Sequence, residues 1–178
     1  MERTILEFFL SLPYPVRLLL NVFSLLVEYG AIVWLYLLIL GALSVRKREY
    51  LEVVLVALAG LALQAVLNEL ILHRIWNRPR PFDLMQVETI GLVWHSSSFV
   101  SGHTLTAAVM ATIFSSYFPR WTPVFGSFAI LTGISRLSSG MHWPSDVVGA
   151  WVFGFFAGVL VLKIGEWIVK RPRLQTPP

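Results

Sequence analysis

Ser135-Arg136-Leu137-Ser138-Ser139-Gly140-Met141-His142-Trp143-Pro144-Ser145-Asp146 sets a guanidinium, an imidazole and a carboxylate in one turn between two apolar runs. Pro144 suits the first turn of a helix, where its missing N–H costs nothing, so the spacing predicts a helix from about Trp143 through Val147 to Leu162. Asp146 then lies one helical turn beyond His142. From there a carboxylate can accept the imidazole Nδ1–H, fix the tautomer and leave Nε2 as nucleophile or base. Arg136 ends the preceding apolar run and offers a planar fork that fits two oxygens of a phosphate.

The surrounding chain places that turn in a membrane. Its 178 residues support one domain, and 56% hydrophobic against 13% charged residues is far from a soluble composition. There is no cysteine, so thiolate metal sites, disulfides and thiol nucleophiles are excluded, and histidine, serine and carboxylates must carry any chemistry. The net charge of +4 does not indicate nucleic acid, because the basic residues stand at the ends of apolar runs and not on one polar face.

Residues 1–15 read as an interfacial amphipathic helix closed by Pro13 and Pro15. Five apolar runs follow at 16–43, 51–76, 102–118, 121–136 and 146–168, and residues 171–178 form a polar tail. The expected fold is an all-α integral membrane bundle of five transmembrane helices plus the N-terminal helix, or six if that helix also crosses. Runs three and four are short and should stand nearly upright. Residues 83–99 lose periodicity and read as a loop able to cover a site. Five crossings gather Arg46, Lys47, Arg48, Arg120, Lys170, Arg171 and Arg173 on one face, which the positive-inside rule makes cytoplasmic. The opposite, outer face receives three polar segments: 73–81, 100–103 and 135–146. Glu28, Asn68 and Glu69 fall inside runs and should face the bundle interior. Glu69 stands four residues before His73 and could pair with it. Trp76, Trp94, Trp121, Trp143 and Trp167 read as an interfacial belt, and Gly149, Gly154 and Gly158 as a close-packing stripe.

Several cations, histidine as the available nucleophile and no carboxylate cluster suited to a metal describe a phosphate site. Ser101 and Gly102 open the third run, where free N–H groups and a helix dipole favour an anion.

These residues resemble the type 2 phosphatidic acid phosphatase family of membrane lipid phosphatases. Its third motif, Ser-Arg, five residues, His, three residues, Asp, is complete as Ser135, Arg136, His142 and Asp146. Its second, Pro-Ser-Gly-His, is present as Val100-Ser101-Gly102-His103, with valine for proline. Its first, a lysine, six residues, then Arg-Pro, matches at Arg80-Pro81 with His73 in the lysine position. The resemblance implies that His142 attacks phosphorus, Asp146 orients it, and His103 protonates the leaving oxygen and then activates water. Arg80, Arg136, Ser101 and Gly102 would cradle the phosphate, with His73, Arg74 or Arg78 making good the missing lysine charge. An imidazole in the lysine position should make activity fall at alkaline pH more than in a lysine-bearing relative.

No metal or organic cofactor is implied. The implied partner is the lipid bilayer with a phospholipid or isoprenoid phosphate as substrate: undecaprenyl pyrophosphate, phosphatidylglycerol phosphate, phosphatidic acid or a lipid A phosphate. The implied location is a bacterial inner (plasma) membrane, with the site facing the periplasm or exterior. A lipid phosphotransferase and a non-catalytic phospholipid binder or transporter are the rival readings. His95 carries no motif and reads as a plain loop residue.

Overall fold

The computed structural model describes residues 1–28, 39–40, 48–87, 89, 93 and 95–170. Much of the first long run, the Arg46-Lys47 turn, the Glu28 side chain, Glu88, Trp94 and the tail 171–178 lie outside the described residues.

Helix α1 (Glu2–Leu10) ends at Ser11 because Pro13 cannot supply the next N–H. Helix α2 (Tyr14–Glu28) restarts with Pro15 in its first turn, and the part through Phe23 is bent by 101° from α1. Helix α3 begins as Arg48–Ala65, passes through a π segment over Val66–Leu72 and finishes at His73–Ile75. Within that segment the His73 N–H donates to the Asn68 carbonyl, five residues back. One extra residue per turn rotates the end of the helix and re-aims Asn68, Glu69 and His73. A short helix α4 (Pro81–Leu84) follows, with Pro81 at its first position and the Asp83 side chain accepting from the Arg80 N–H at 3.0 Å. Helices α5 (Gly102–Tyr117) and α6 (Thr122–Ser138) are joined by a single 3₁₀ turn, Pro119–Trp121. Helix α7 (Pro144–Lys170) starts at the proline that the sequence marks.

The described residues form helices and no strand. Two helices, Tyr50–Ile75 and Pro144–Ile168, are long and apolar enough to cross a membrane, and the bent pair at the N-terminus adds a third if it is one broken span. Helices α5 and α6 hold 16 and 17 residues, about 24–26 Å at 1.5 Å per residue, short of a typical hydrocarbon core.

Helix α5 is the centre, packed against α3, α6 and α7. Its buried Val109, Met110, Ile113 and Phe114 meet Val53, Val56 and Ala57 of α3 and Ala157 and Val161 of α7 in one cluster. A second cluster of Leu72, Val100, Leu105 and Ala150 closes the other end. The glycines of α7 permit this closeness. A Cβ on Gly154 would stand 2.5 Å from Ala108 Cβ and 3.0 Å from the Leu105 carbonyl, and one on Gly158 2.7 Å from Thr112 Cβ. Helix α1 is more than an interfacial float: its Leu6 is fully buried, and it packs on α6 and α7.

Because α3 and α6 run toward the end at which α5 and α7 begin, four helix termini converge there. The Ser101 N–H donates to the Asp146 carbonyl at 3.3 Å and ties two of them together.

Candidate active site

His142 stands in the turn between α6 and α7, 2% exposed. Its Nδ1 lies 2.8 Å from the Ser98 carbonyl and its Nε2 3.3 Å from Arg80 Nη1. A carbonyl only accepts and a guanidinium only donates, so this surrounding assigns the proton to Nδ1 and the lone pair to Nε2. The sequence leads to that tautomer by another route, through Asp146. The Asp146 carboxylate is 3.7 Å from Nδ1, an ion-pair distance and not a hydrogen bond. Its Oδ2 is taken by Ser98 Oγ at 2.5 Å and the Trp143 N–H at 2.7 Å, and its Oδ1 by Arg78 Nη1 at 2.8 Å. Ser98 thus stands between the two: its hydroxyl holds Asp146 and its carbonyl holds His142. Burial pushes the His142 pKa down to about 4; Asp146 opposes this, while Arg80 and Arg136 reinforce it. At neutral pH the ring is uncharged.

Arg80, 6% exposed, is held on several sides. It donates from Nε to the Ser96 carbonyl at 3.0 Å, from Nη2 to Ser96 Oγ at 3.0 Å and the Ser97 carbonyl at 3.3 Å, and from Nη1 to the Met141 carbonyl at 3.4 Å. The serine run that reads as a covering loop in sequence is therefore the mount for this guanidinium and for Asp146.

A cavity of about 310 Å³ opens among Arg80, Arg136, His142, His103, Gly102, His73, Glu69, Asn68 and Ser96. Gly102 brings the start of α5 to its wall, where a Cβ would stand 3.1 Å from Asn68 Nδ2. Ser101, fully buried, caps the helix: its Oγ accepts from the Thr104 N–H at 3.5 Å and from Thr104 Oγ1 at 3.0 Å, and Ser101 is not among the lining residues. Asn68 Nδ2 donates to Glu69 Oε1 at 2.7 Å, and Glu69 Oε2 lies 3.6 Å from His73 Nδ1. The π segment thus brings one acid and one imidazole to the cavity together.

Two predicted phosphate ligands are placed elsewhere. Arg74 is exposed and does not line the cavity. Arg78 also stays out of it: besides Asp146 it donates to Ser145 Oγ at 2.6 Å and to Glu2 Oε2 at 2.6 Å, and it lies over the Trp143 ring at 5.4 Å. Trp143 is a correction to the interfacial belt, since it is 9% exposed and its indole N–H donates to the Pro79 carbonyl at 3.0 Å. Trp76, Trp121 and Trp167 are exposed. His95, 79% exposed, stands 3.7 Å from Asp83. Ser96, Ser98 and Glu2 are site residues that the motifs do not name; only the serine cluster beside the second motif hinted at the first two.

Chemically, the cavity offers an uncharged imidazole lone pair, two guanidinium groups and a helix start, which together suit an oxyanion next to a nucleophile. Among the described residues no group of three or more His, Asp or Glu is arranged to hold a metal ion.

The chain is similar to several known proteins. The chain is 28% identical over 148 residues to undecaprenyl-diphosphatase BcrC of Bacillus subtilis, covering 82% of this chain and 75% of that protein. It is 43% identical over 77 residues to a lipid A 1-phosphatase of Porphyromonas gingivalis, a match spanning 41% of this chain but only 16% of that longer protein. Among solved structures, LpxE of Aquifex aeolicus aligns with a TM-score of 0.77 at 25% identity, over 91% of this chain and 94% of the other. A transmembrane phosphatidylglycerolphosphate phosphatase from Bacillus subtilis aligns with a TM-score of 0.76 at 25% identity, over 97% and 87%. With the PAP2 superfamily model matching residues 53–170, the chain belongs to the PAP2 superfamily.

Proposed function

We propose that this protein is a metal-independent phosphatase acting on a lipid phosphate or pyrophosphate through a phosphohistidine on His142. The observation that carries the proposal is the setting of His142, which lines the cavity with its Nε2 beside Arg80 while its Nδ1 is held by the Ser98 carbonyl. In the first step Nε2 forms a bond to phosphorus as the bond to the leaving oxygen breaks, and His103 delivers the proton that oxygen needs. In the second, His103 takes a proton from water, whose oxygen attacks phosphorus and releases the imidazole with inorganic phosphate. Arg80, Arg136 and the Gly102 N–H hold the equatorial oxygens as charge gathers on them. Asp146 sits close enough to His142 to stabilise the positive charge that the ring acquires.

The substrate class follows from the setting. The site lies at one end of an apolar bundle, and the relatives are named for lipid A phosphate, undecaprenyl diphosphate and phosphatidylglycerophosphate. The BcrC match covers most of both chains, which favours a diphosphate on an isoprenoid tail. We read five crossings, with α5 and α6 as short upright spans. The end of the bundle that carries Arg120 and the C-terminus of α7 then faces the cytoplasm, and the site faces the periplasm or exterior of a bacterial plasma membrane.

The test is inorganic phosphate release by detergent-purified protein on undecaprenyl pyrophosphate, phosphatidylglycerol phosphate, phosphatidic acid and lipid A, with and without chelator. Chelator-resistant release on at least one lipid is expected, highest on the isoprenoid. Transfer of phosphate to a second lipid, with no free phosphate, would replace hydrolysis with phosphotransfer.

A further inference from the structure

The first helix touches the start of the helix that follows His142. Glu2 Oε2 accepts from Arg78 Nη2 at 2.6 Å, and Glu2 Oε1 accepts from the Ser145 N–H at 3.1 Å. The same Arg78 places its other nitrogen 2.8 Å from Asp146 Oδ1 and 2.6 Å from Ser145 Oγ. A planar fork thus spans two carboxylates, one fully buried behind His142 and one carried by α1. Helix α1 is fixed in that place by the buried Leu6, and the Arg17 Nε of α2 donates to the Ser138 carbonyl at 3.1 Å, so the whole N-terminal bend clasps the turn that carries His142.

We infer that Glu2 is a positioning residue for the phosphatase reaction, holding Arg78 in the orientation that keeps Asp146, and through it His142, in register with the cavity. The inference rests on the proposed histidine mechanism, and it assigns α1 a part in catalysis that none of the three motifs covers.

Two physical effects act in the same direction. Geometrically, the Glu2 carboxylate fixes one nitrogen of the fork, so the other cannot rotate away from Asp146. Electrostatically, Glu2 offsets the Arg78 charge that would otherwise fall on Asp146 alone and make the carboxylate a weaker stabiliser of the His142 imidazolium. The other charged or titratable groups lining the cavity beside His142 are Glu69 and His73 from the end of α3, Arg80 from the segment after it, Arg136 from α6 and His103 from α5. None of them is carried by α1. The Glu2–Arg78 pair itself is partly exposed and contributes little to folding, so its loss should be read in catalysis and not in the fold.

The experiment is a cycle of Glu2→Gln and Arg78→Lys, with Glu2→Asp as the conservative rescue. Arg78→Lys leaves a cation for Asp146 but removes the fork that joins the two carboxylates. Expected for Glu2→Gln is a fall in kcat of about 3- to 30-fold with KM changed less than about twofold. Partial recovery is expected in Glu2→Asp, an unaltered melting temperature, and little further loss when Glu2→Gln is added to Arg78→Lys. A kcat equal to that of the unmodified protein, or the same fold loss in both backgrounds, would overturn the assignment. An activity-independent readout is the His142 Nδ1–H resonance in histidine-labelled protein, which should move in Glu2→Gln and be unchanged by Glu2→Gln in the Arg78→Lys background. If the unmodified protein releases no phosphate, the hydrolase reading fails, and this resonance alone decides whether Glu2 acts on His142: a shift supports the link and an unmoved signal overturns it.

Discussion

Asp146 has no exposed surface, yet it is charged and stands against a histidine. Its stability at that depth comes from Arg78, Ser98 and the Trp143 N–H, and breaking such a set is costly because it strands a charge. Arg78→Ala should therefore destabilise the protein by about 3–5 kcal/mol, measured as a lowered unfolding midpoint in detergent. Asp146→Asn keeps the shape but removes the charge that balances a phosphorylated or protonated ring. It should lower kcat about a thousandfold while leaving lipid affinity within a few-fold. At this scale the sequence is informative where contacts are local. The spacing of Arg136, His142 and Asp146 follows from one turn and one helix start. The shift of the Nδ1–H partner from Asp146 to the Ser98 carbonyl does not, since Ser98 lies in an irregular stretch 44 residues away and no periodicity reports its approach.

Among the elements, α5 and α7 touch most closely because Gly154 and Gly158 face Ala108 and Thr112. Gly154→Ala has no room, since the added carbon would stand 2.5 Å from another Cβ and 3.0 Å from a backbone oxygen. The helices must separate by a few tenths of an ångström or more, and a loss of about 1–3 kcal/mol is expected as a lower melting temperature in detergent. Gly126, whose Cβ would meet nothing within 4 Å, is the control, and Gly126→Ala should leave the melting temperature unaltered. Gly140 differs in kind: with φ of +70° it turns the chain from α6 toward His142, a conformation that a side chain strains. Helix positions were legible from apolar runs and prolines, and α7 begins at Pro144 as the sequence indicates. The π segment over Val66–Leu72 was not, because an extra residue per turn leaves no mark in an apolar run. Nor was the docking of α1, whose amphipathic pattern fits a membrane surface and a bundle surface equally well.

At the scale of the whole molecule, the buried polar groups of the site stand together at one end of an apolar bundle, and the buried uncharged imidazole makes that end sensitive to acid. The His142 pKa is about 4 in the folded chain against an ordinary value near 6.5, so between those pH values the unfolded chain binds a proton that the folded one does not. Stability present above about pH 6.5 is lost progressively as pH falls to about 4 and changes no further below it through this group. The loss should be about 3 kcal/mol, seen as a melting temperature that declines on acidification and declines less in His142→Gln. The family was legible from three motifs in order. The cavity wall was less legible, because residues distant in sequence meet there.

The central claim is that His142 takes the phosphate covalently, and trapping that intermediate tests it most directly. Rapid quenching of the protein with its best lipid substrate in alkali, which spares a phosphoramidate, followed by peptide mass spectrometry, should find phosphate on His142. His103→Ala, slowed in both steps, should show it at longer times, and none is expected in His142→Ala. Steady phosphate release with no phosphate found on His142 in either protein, or release that persists in His142→Ala, would contradict the account.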